Sequence, residues 1–139
     1  MSAAISSKAS AVAVKKRLLT HHTLVAVLSM PDDLFYPVGV ITSIIIFRAH
    51  TPHSERKETF FGYFKDDGFM KVKAKGRLDI RKKWGGVKEA WLDAYENGRN
   101  KAGLSVTKSV TANDEWCAEA YMETDYSKIT KADFEDVVK

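Results

Sequence analysis

Apolar residues recur along this chain with two periods, and the changes of period mark its elements. From Ser7 to about Thr20, Ala11, Val14 and Leu18 fall on one face at helical spacing, with Lys15, Lys16 and Arg17 toward the end, where cations suit the helix dipole. Thr23 to Met30 is an apolar run stopped by Pro31-Asp32-Asp33, which predicts a buried strand. Val40 to Phe47 is a second, nearly unbroken apolar run and predicts a strand buried on both faces. Glu58 to Lys65 predicts a third strand, ended by the turn Asp66-Asp67-Gly68. The segment 69–83 has no period and reads as irregular. Trp84 to about Asn97 predicts a second helix with Trp84, Val87, Trp91 and Tyr95 along one stripe, and Gly98 is placed to stop it. Leu104 to Val110 and Trp116 to Met122 are shorter extended candidates, and Thr130 with Asp133 gives a capping signal for a terminal helix from Lys131 to Val138. The order is mixed α/β. With no repeat, low-complexity tract or linker, residues 1–139 read as a single domain.

The connection between the first two strands carries Leu34-Phe35-Tyr36-Pro37-Val38-Gly39, an aromatic pair followed by a shaped turn. Two large rings on a loop held by rigid strands are where a flat ligand would stack. A plain hydrophobic hairpin would have the same composition. The aromatic stripe of the second helix, in contrast, is the ordinary signature of a core-facing side.

Charge is unevenly spread, and this changes the picture. Residues 1–110 hold 19 Lys and Arg against 10 Asp and Glu, whereas residues 111–139 hold 3 against 8. The basic excess is densest at Lys71, Lys73, Lys75, Arg77, Arg81, Lys82 and Lys83, opposed only by Asp79. Such a run is the electrostatic footprint of a phosphate-binding surface, or else a solvated loop. The acidic end has two options, folding back over the basic surface or facing a different partner.

Other classes drop out. No apolar stretch reaches the roughly 18 residues of a membrane span, and the N-terminal residues lack the basic and apolar regions of a signal peptide. Cys117 is the only cysteine, so no intrachain disulfide forms, which suits the cytoplasm. His21-His22 and His50/His53 lack metal-ligand spacing and read as solvated or capping residues. There is no Gly-x-Gly-x-x-Gly and no P-loop, no Ser or Cys nucleophile with an evident His partner, and no carboxylate pair that stands out.

Several stretches carry a family resemblance: Ser2-Ala-Ala-Ile-Ser-Ser-Lys-Ala-Ser, Leu18-Leu19, Thr23 through Val40, and Phe47-Arg-Ala-His-Thr-Pro-His. They resemble N6-adenine DNA methyltransferases, closest to modification subunits of type I restriction-modification systems. Phe60-Phe-Gly-Tyr-Phe-Lys-Asp-Asp-Gly-Phe and Asp114-Glu-Trp-Cys-Ala-Glu-Ala-Tyr-Met-Glu-Thr-Asp-Tyr resemble the C-terminal part of that family. The family's glycine-rich S-adenosylmethionine loop and its Asn/Asp-Pro-Pro-Tyr/Phe motif have no counterpart, since Pro31, Pro37 and Pro52 are the only prolines and none is adjacent to another.

The resemblance implies a truncated Rossmann-like methyltransferase sheet in residues 1–50, the last helix plus a closing antiparallel strand pair. Residues 51–139 would then form a small α+β extension. It implies that Phe35 or Tyr36 is one wall of the pocket that holds the extruded target adenine. Lys71, Lys73, Lys75, Arg77, Arg81, Lys82 and Lys83 would meet the DNA backbone. It further implies that this chain alone binds no cofactor and is not catalytic, S-adenosylmethionine belonging to the complete enzyme. The implied partners are DNA, the remainder of the methyltransferase and a specificity subunit. With a strand missing beside it, the segment from Ile41 to Phe47 would offer an unpaired edge for self-association or completion by another polypeptide. A stand-alone, non-catalytic nucleic-acid-binding or assembly module is the alternative, and an inert remnant the third.

Overall fold

The computed structural model describes residues 8–125; the terminal helix expected from Lys131 to Val138 lies outside them. The chain runs α1 (Ala9–His21), β1 (Thr23–Ser29), β2 (Ser43–Arg48), β3 (Glu58–Tyr63), β4 (Met70–Val72), β5 (Gly76–Leu78), α2 (Trp84–Glu96) and β6 (Ser105–Ser109), then a single 3-10 turn at Ala118–Ala120. Four strands form one sheet in the order β2-β1-β3-β6, and β4 with β5 forms a separate hairpin. β1 is antiparallel to β2 and parallel to β3, and β3 is antiparallel to β6. The architecture is therefore a small mixed α/β sheet drawn from both sides of residue 50.

A bulge in β1 decides which residues face which side. Leu24 pairs with Phe47 and Ala26 with Ile46, leaving Val25 as the extra residue. Leu24 and Val27, three apart, thereby share one face, where they pack with Phe61, Val110, Trp116 and Ala118 under Leu18 and Leu19 of α1. Ala26 turns to the other face with Phe60, Phe64 and Ala94, covered by Trp91 and Tyr95 of α2. One helix thus lies on each face. Gly62 lies where the second face is tightest: an added Cβ would sit 2.9 Å from the Phe64 ring and 3.0 Å from Leu28.

Four expectations change. The strand expected to be buried on both faces is β2, at the edge of the sheet, with Ile44 48% exposed and Ile41, in the approach to it, 75% exposed. Its side chains do contact both clusters, Ile45 and Phe47 on one face and Ile46 on the other, but only β1 flanks it, and among the described residues no strand pairs with its outer side. Segment 69–83 is not irregular, because β4 and β5 pair across it. The run from Trp116 to Met122 is not extended: Ala120 N–H donates to Cys117 O, and Tyr121 and Met122 N–H both donate to Ala118 O, winding it into a turn. Lys15, expected to serve the dipole at the helix end with Lys16 and Arg17, is instead turned inward. It is fully buried, its ammonium donating to Asp114 O and lying 5.2 Å from the centre of the Trp116 ring. Burial pushes its pKa down, against the opposing pull of Asp114 and Glu115.

Candidate functional site

Because β1 and β3 are parallel neighbours, the connections that leave them emerge at the same end of the sheet. The first is the aromatic loop and the second leads into the basic hairpin. Sequence-distant groups are thereby made adjacent. The loop is a run of tight turns, with Leu34 N–H donating to Pro31 O, Tyr36 N–H to Asp33 O and Val38 N–H to Phe35 O. Pro31 is buried beneath it, while Phe35 and Tyr36 stand 58% and 41% exposed. The Tyr36–Pro37 peptide is cis.

The hairpin reverses through Lys73-Ala74-Lys75, with Lys75 N–H donating to Val72 O and positive φ at Ala74 and Gly76. Lys71 and Arg77 are cross-strand partners, so their side chains leave the same face. That face meets Asp33. The Arg77 Nε lies 3.1 Å from Asp33 Oδ1 and the Lys71 ammonium 3.6 Å from Asp33 Oδ2. Arg77 also donates to both oxygens of Asp67 at 2.7 and 2.9 Å, and its guanidinium lies over the Phe69 ring. With its side chain only 11% exposed, Arg77 is a fastener between loop and hairpin. Burial lowers its pKa, but Asp67 and Asp33 outweigh that and hold it above the ordinary guanidinium value.

The other expected cations are free to face solvent. Lys73, Lys75, Arg81, Lys82 and Lys83 are exposed, and Lys71 is largely so. Lys82 takes positive φ. Asp79 caps α2 by accepting from the Lys83 and Trp84 N–H groups, which fixes where the last three cations sit. An aromatic relay secures the hairpin to the core: Phe69 meets Trp84 edge-on, Trp84 meets Trp91, and Trp91 stacks on Phe64 at 4.5 Å.

A second ionic group ties the same end of the sheet together. Lys65 reaches Asp32 at 2.6 Å and Glu119 at 3.3 Å, and Glu119 accepts from the buried Ser29 hydroxyl at 2.6 Å. Burial pushes the Glu119 carboxyl up, yet Ser29 and Lys65 prevail and hold it below the ordinary carboxylate value. Burial likewise works against the Lys65 ammonium, but Asp32 and Glu119 raise its pKa. These roles were not legible in advance, because Lys65, Asp32 and Glu119 lie far apart in sequence.

Histidines serve the backbone. His53 Nδ1 accepts from Leu24 N–H and His22 Nδ1 from His50 N–H. Burial, with Lys57 adding, lowers the His53 pKa. Burial raises that of the Cys117 thiol, opposite to what a reactive thiolate needs. Among the described residues, no group of three His, Cys, Asp or Glu could hold a metal ion, and no helix is long and apolar enough to cross a membrane.

A small α/β sheet with a helix on each face is compatible with part of a methyltransferase-like fold. Residues 1–136 match the family model described as N-6 DNA Methylase, and the chain belongs to that family. It is 35% identical over 113 residues to the Type II restriction enzyme and methyltransferase RM.BcgI of Heyndrickxia coagulans. The match covers 80% of this chain and 17% of that protein, so it spans less than a fifth of the relative's length. The sequence pointed to type I systems; this relative is named a type II enzyme.

Proposed function

We propose that this chain is the target-base-facing portion of an S-adenosylmethionine-dependent adenine-N6 DNA methyltransferase of a restriction-modification system, acting in the cytoplasm. Phe35 or Tyr36 supplies one wall for the extruded adenine, and Lys71, Lys73, Lys75, Arg81, Lys82 and Lys83 meet the DNA backbone. Arg77, held by two carboxylates, acts through the hairpin it fastens. The observation that carries this reading is the juxtaposition of exposed rings and exposed cations at one end of the sheet, on two connections that share Asp33.

The residues present do not fit S-adenosylmethionine. The turn after β1 runs Met30-Pro31-Asp32-Asp33, with no glycine to let a cofactor approach the backbone, and its carboxylates are engaged by Lys65, Lys71 and Arg77. Methyl transfer is accordingly assigned to residues outside this chain, and a specificity subunit is the source of sequence choice.

Fluorescence anisotropy of a labelled duplex, repeated over a salt series, tests the reading. Each phosphate neutralised contributes about −0.9 to the slope of log K against log salt, so the six cations give a slope of up to about −5.4. Replacing Lys73 and Lys75 by Gln should make the slope shallower by about 1.8. Absence of binding at low salt overturns the reading.

A second reading, an assembly module without chemistry of its own, is favoured by the bare apolar edge of β2. In it the edge pairs with a strand of another copy or of a separate polypeptide. A chain that sediments as a monomer at every concentration, alone and with its neighbouring subunits, would remove it.

A further inference from the structure

We propose that Asp33 is a positioning residue that locks the aromatic loop onto the basic hairpin, so that base stacking and phosphate contact are made by one rigid surface. The inference rests on the base-wall reading above. Asp33 precedes Phe35 by two residues, and its own carbonyl closes the turn by accepting from Tyr36 N–H. Its carboxylate reaches across to the hairpin, 3.1 Å from Arg77 and 3.6 Å from Lys71. Lys71 and Arg77 stand directly opposite in β4 and β5, where two cations would repel, and Asp33 lies against both. The Lys71 ammonium also sits 6.0 Å from the centre of the Tyr36 ring. One carboxylate thus sets the distance between the ring that stacks and the hairpin that carries Lys73 and Lys75. Arg77 extends the connection inward through Asp67 and Phe69.

Charge and position predict opposite consequences when Asp33 is neutralised. Asp33→Asn removes an anion from a surface meant to meet phosphate and releases Lys71. Duplex affinity at low salt should hold or rise, and the salt slope should steepen by at most about 0.9, because the part of the Lys71 charge that Asp33 offsets becomes available to phosphate. Base stacking should fall, because the loop is no longer tied to the hairpin. A defect of folding alone would lower both.

The probe is a duplex with 2-aminopurine placed opposite an abasic site, so that no pairing has to be broken before the base leaves the stack. Full-length chain is titrated into it and the fluorescence change is read beside anisotropy. The wild-type chain should change the signal, the Phe35→Ala/Tyr36→Ala chain should not, and Asp33→Asn should lose at least two thirds of the change while keeping its affinity. Asp33→Glu, which retains the charge, should restore at least half, and it decides the question if Asp33→Asn fails to fold. If the signal disappears with the aromatic pair but survives in Asp33→Asn, or fails to return in Asp33→Glu, this inference alone is overturned. If wild type and the aromatic double variant behave alike, the base-wall reading falls and this inference with it.

Discussion

The two edges of the sheet differ in almost every respect that governs what an edge does. β6 is short, polar and already satisfied. Ser105 exchanges backbone hydrogen bonds with Lys101, Thr107 N–H donates to the Asn100 side chain, and the Ser105 hydroxyl donates to Arg99 O. β2 reads Ser-Ile-Ile-Ile-Phe-Arg, with no proline and no charge before its last residue, and among the described residues no other segment bonds to its outer side. Apolar exposure continues into its approach, where Val38 is 60% exposed beside Val40 and Ile41. Natural edge strands are ordinarily blunted by charge, proline or a covering loop. One edge of this sheet is finished and the other is open among the described residues, and the open edge is where the assembly reading puts its interface.

The strongest way to break the comparison is to remove what braces β2 from within. Trp116 is fully buried, meets the Phe47 ring edge-on at 6.1 Å, and donates from Nε1 to Thr111 O. Trp116→Ala should cost about 3–5 kcal/mol in denaturant unfolding. Hydrogen exchange should show β2 losing protection before β6. Equal loss at both edges would mean that the two halves of the sheet are one cooperative unit and that β2 owes nothing special to this ring.

Next in size is an effect on association. Ile44→Lys places a charge at an exposed position of β2 and should leave folding within about 0.5 kcal/mol. Any association seen for the wild-type chain in sedimentation should weaken at least tenfold, about 1.4 kcal/mol. Undiminished association would exclude the β2 edge as the contact.

Such contrasts show how much of the fold was legible and how much was not. The positions of both helices and of β1 and β3 follow from period and from turn residues. Each helix buries one side against the sheet, though α1 turns Lys15 inward and leaves Val14 exposed. The strands β1 and β3 are apolar runs ended by Pro31-Asp32-Asp33 and Asp66-Asp67-Gly68. β2 misled because a continuous apolar run reports contact with both faces of a sheet, and Ile45, Ile46 and Phe47 do make it, but says nothing about lateral neighbours. The hairpin was hidden because the tip of its reversal puts Ala74 at positive φ, with the glycine, Gly76, two residues later, and because its strands are three residues each. The candidate rings and cations were legible as residue types. Their adjacency was not, because it depends on β1 and β3 being parallel, and Asp33 acquires its role only once the two connections meet.

The side of the sheet toward β6 can be sharpened through pH. Glu119, in the turn that packs against β1 and β3, has a carboxyl held below its ordinary value of 4.5. Its contribution is therefore complete above that value and is lost as pH falls through the lower folded value. Lys65, raised above 10.5, keeps its contribution throughout the neutral range and loses it only in strong alkali. Glu119→Gln should lower stability at neutral pH by about 1 kcal/mol, a charged hydrogen bond discounted because the side chain is 41% exposed. The melting temperature should then fall less steeply than in wild type between about pH 5 and 3. Parallel acid limbs would show that Glu119 is not the group responsible.

The smallest effect bears on whether the β6 edge is finished by its backbone or by its surface charge. Lys108 is the one charged residue of β6, and its ammonium lies 4.6 Å from the centre of the Tyr121 ring, which in turn packs on Phe61 at 4.8 Å. An exposed cation on an aromatic face is worth about 0.5 kcal/mol, so Lys108→Ala should lower the melting temperature by only about 2 °C. Tyr121 provides the internal check. Burial first, then Asp114, Cys117 and Glu115, push its phenol up to about 12, and its hydroxyl donates to Glu115 O. Ultraviolet titration of the variant should still find that phenol ionising near 12, because the hydrogen bonds from residues 99–101 keep β6 in place without the lysine. A phenol that falls back toward 10 would mean that Lys108 holds the turn beneath it closed. The finished edge would then depend on its side chain as much as β2 depends on Trp116.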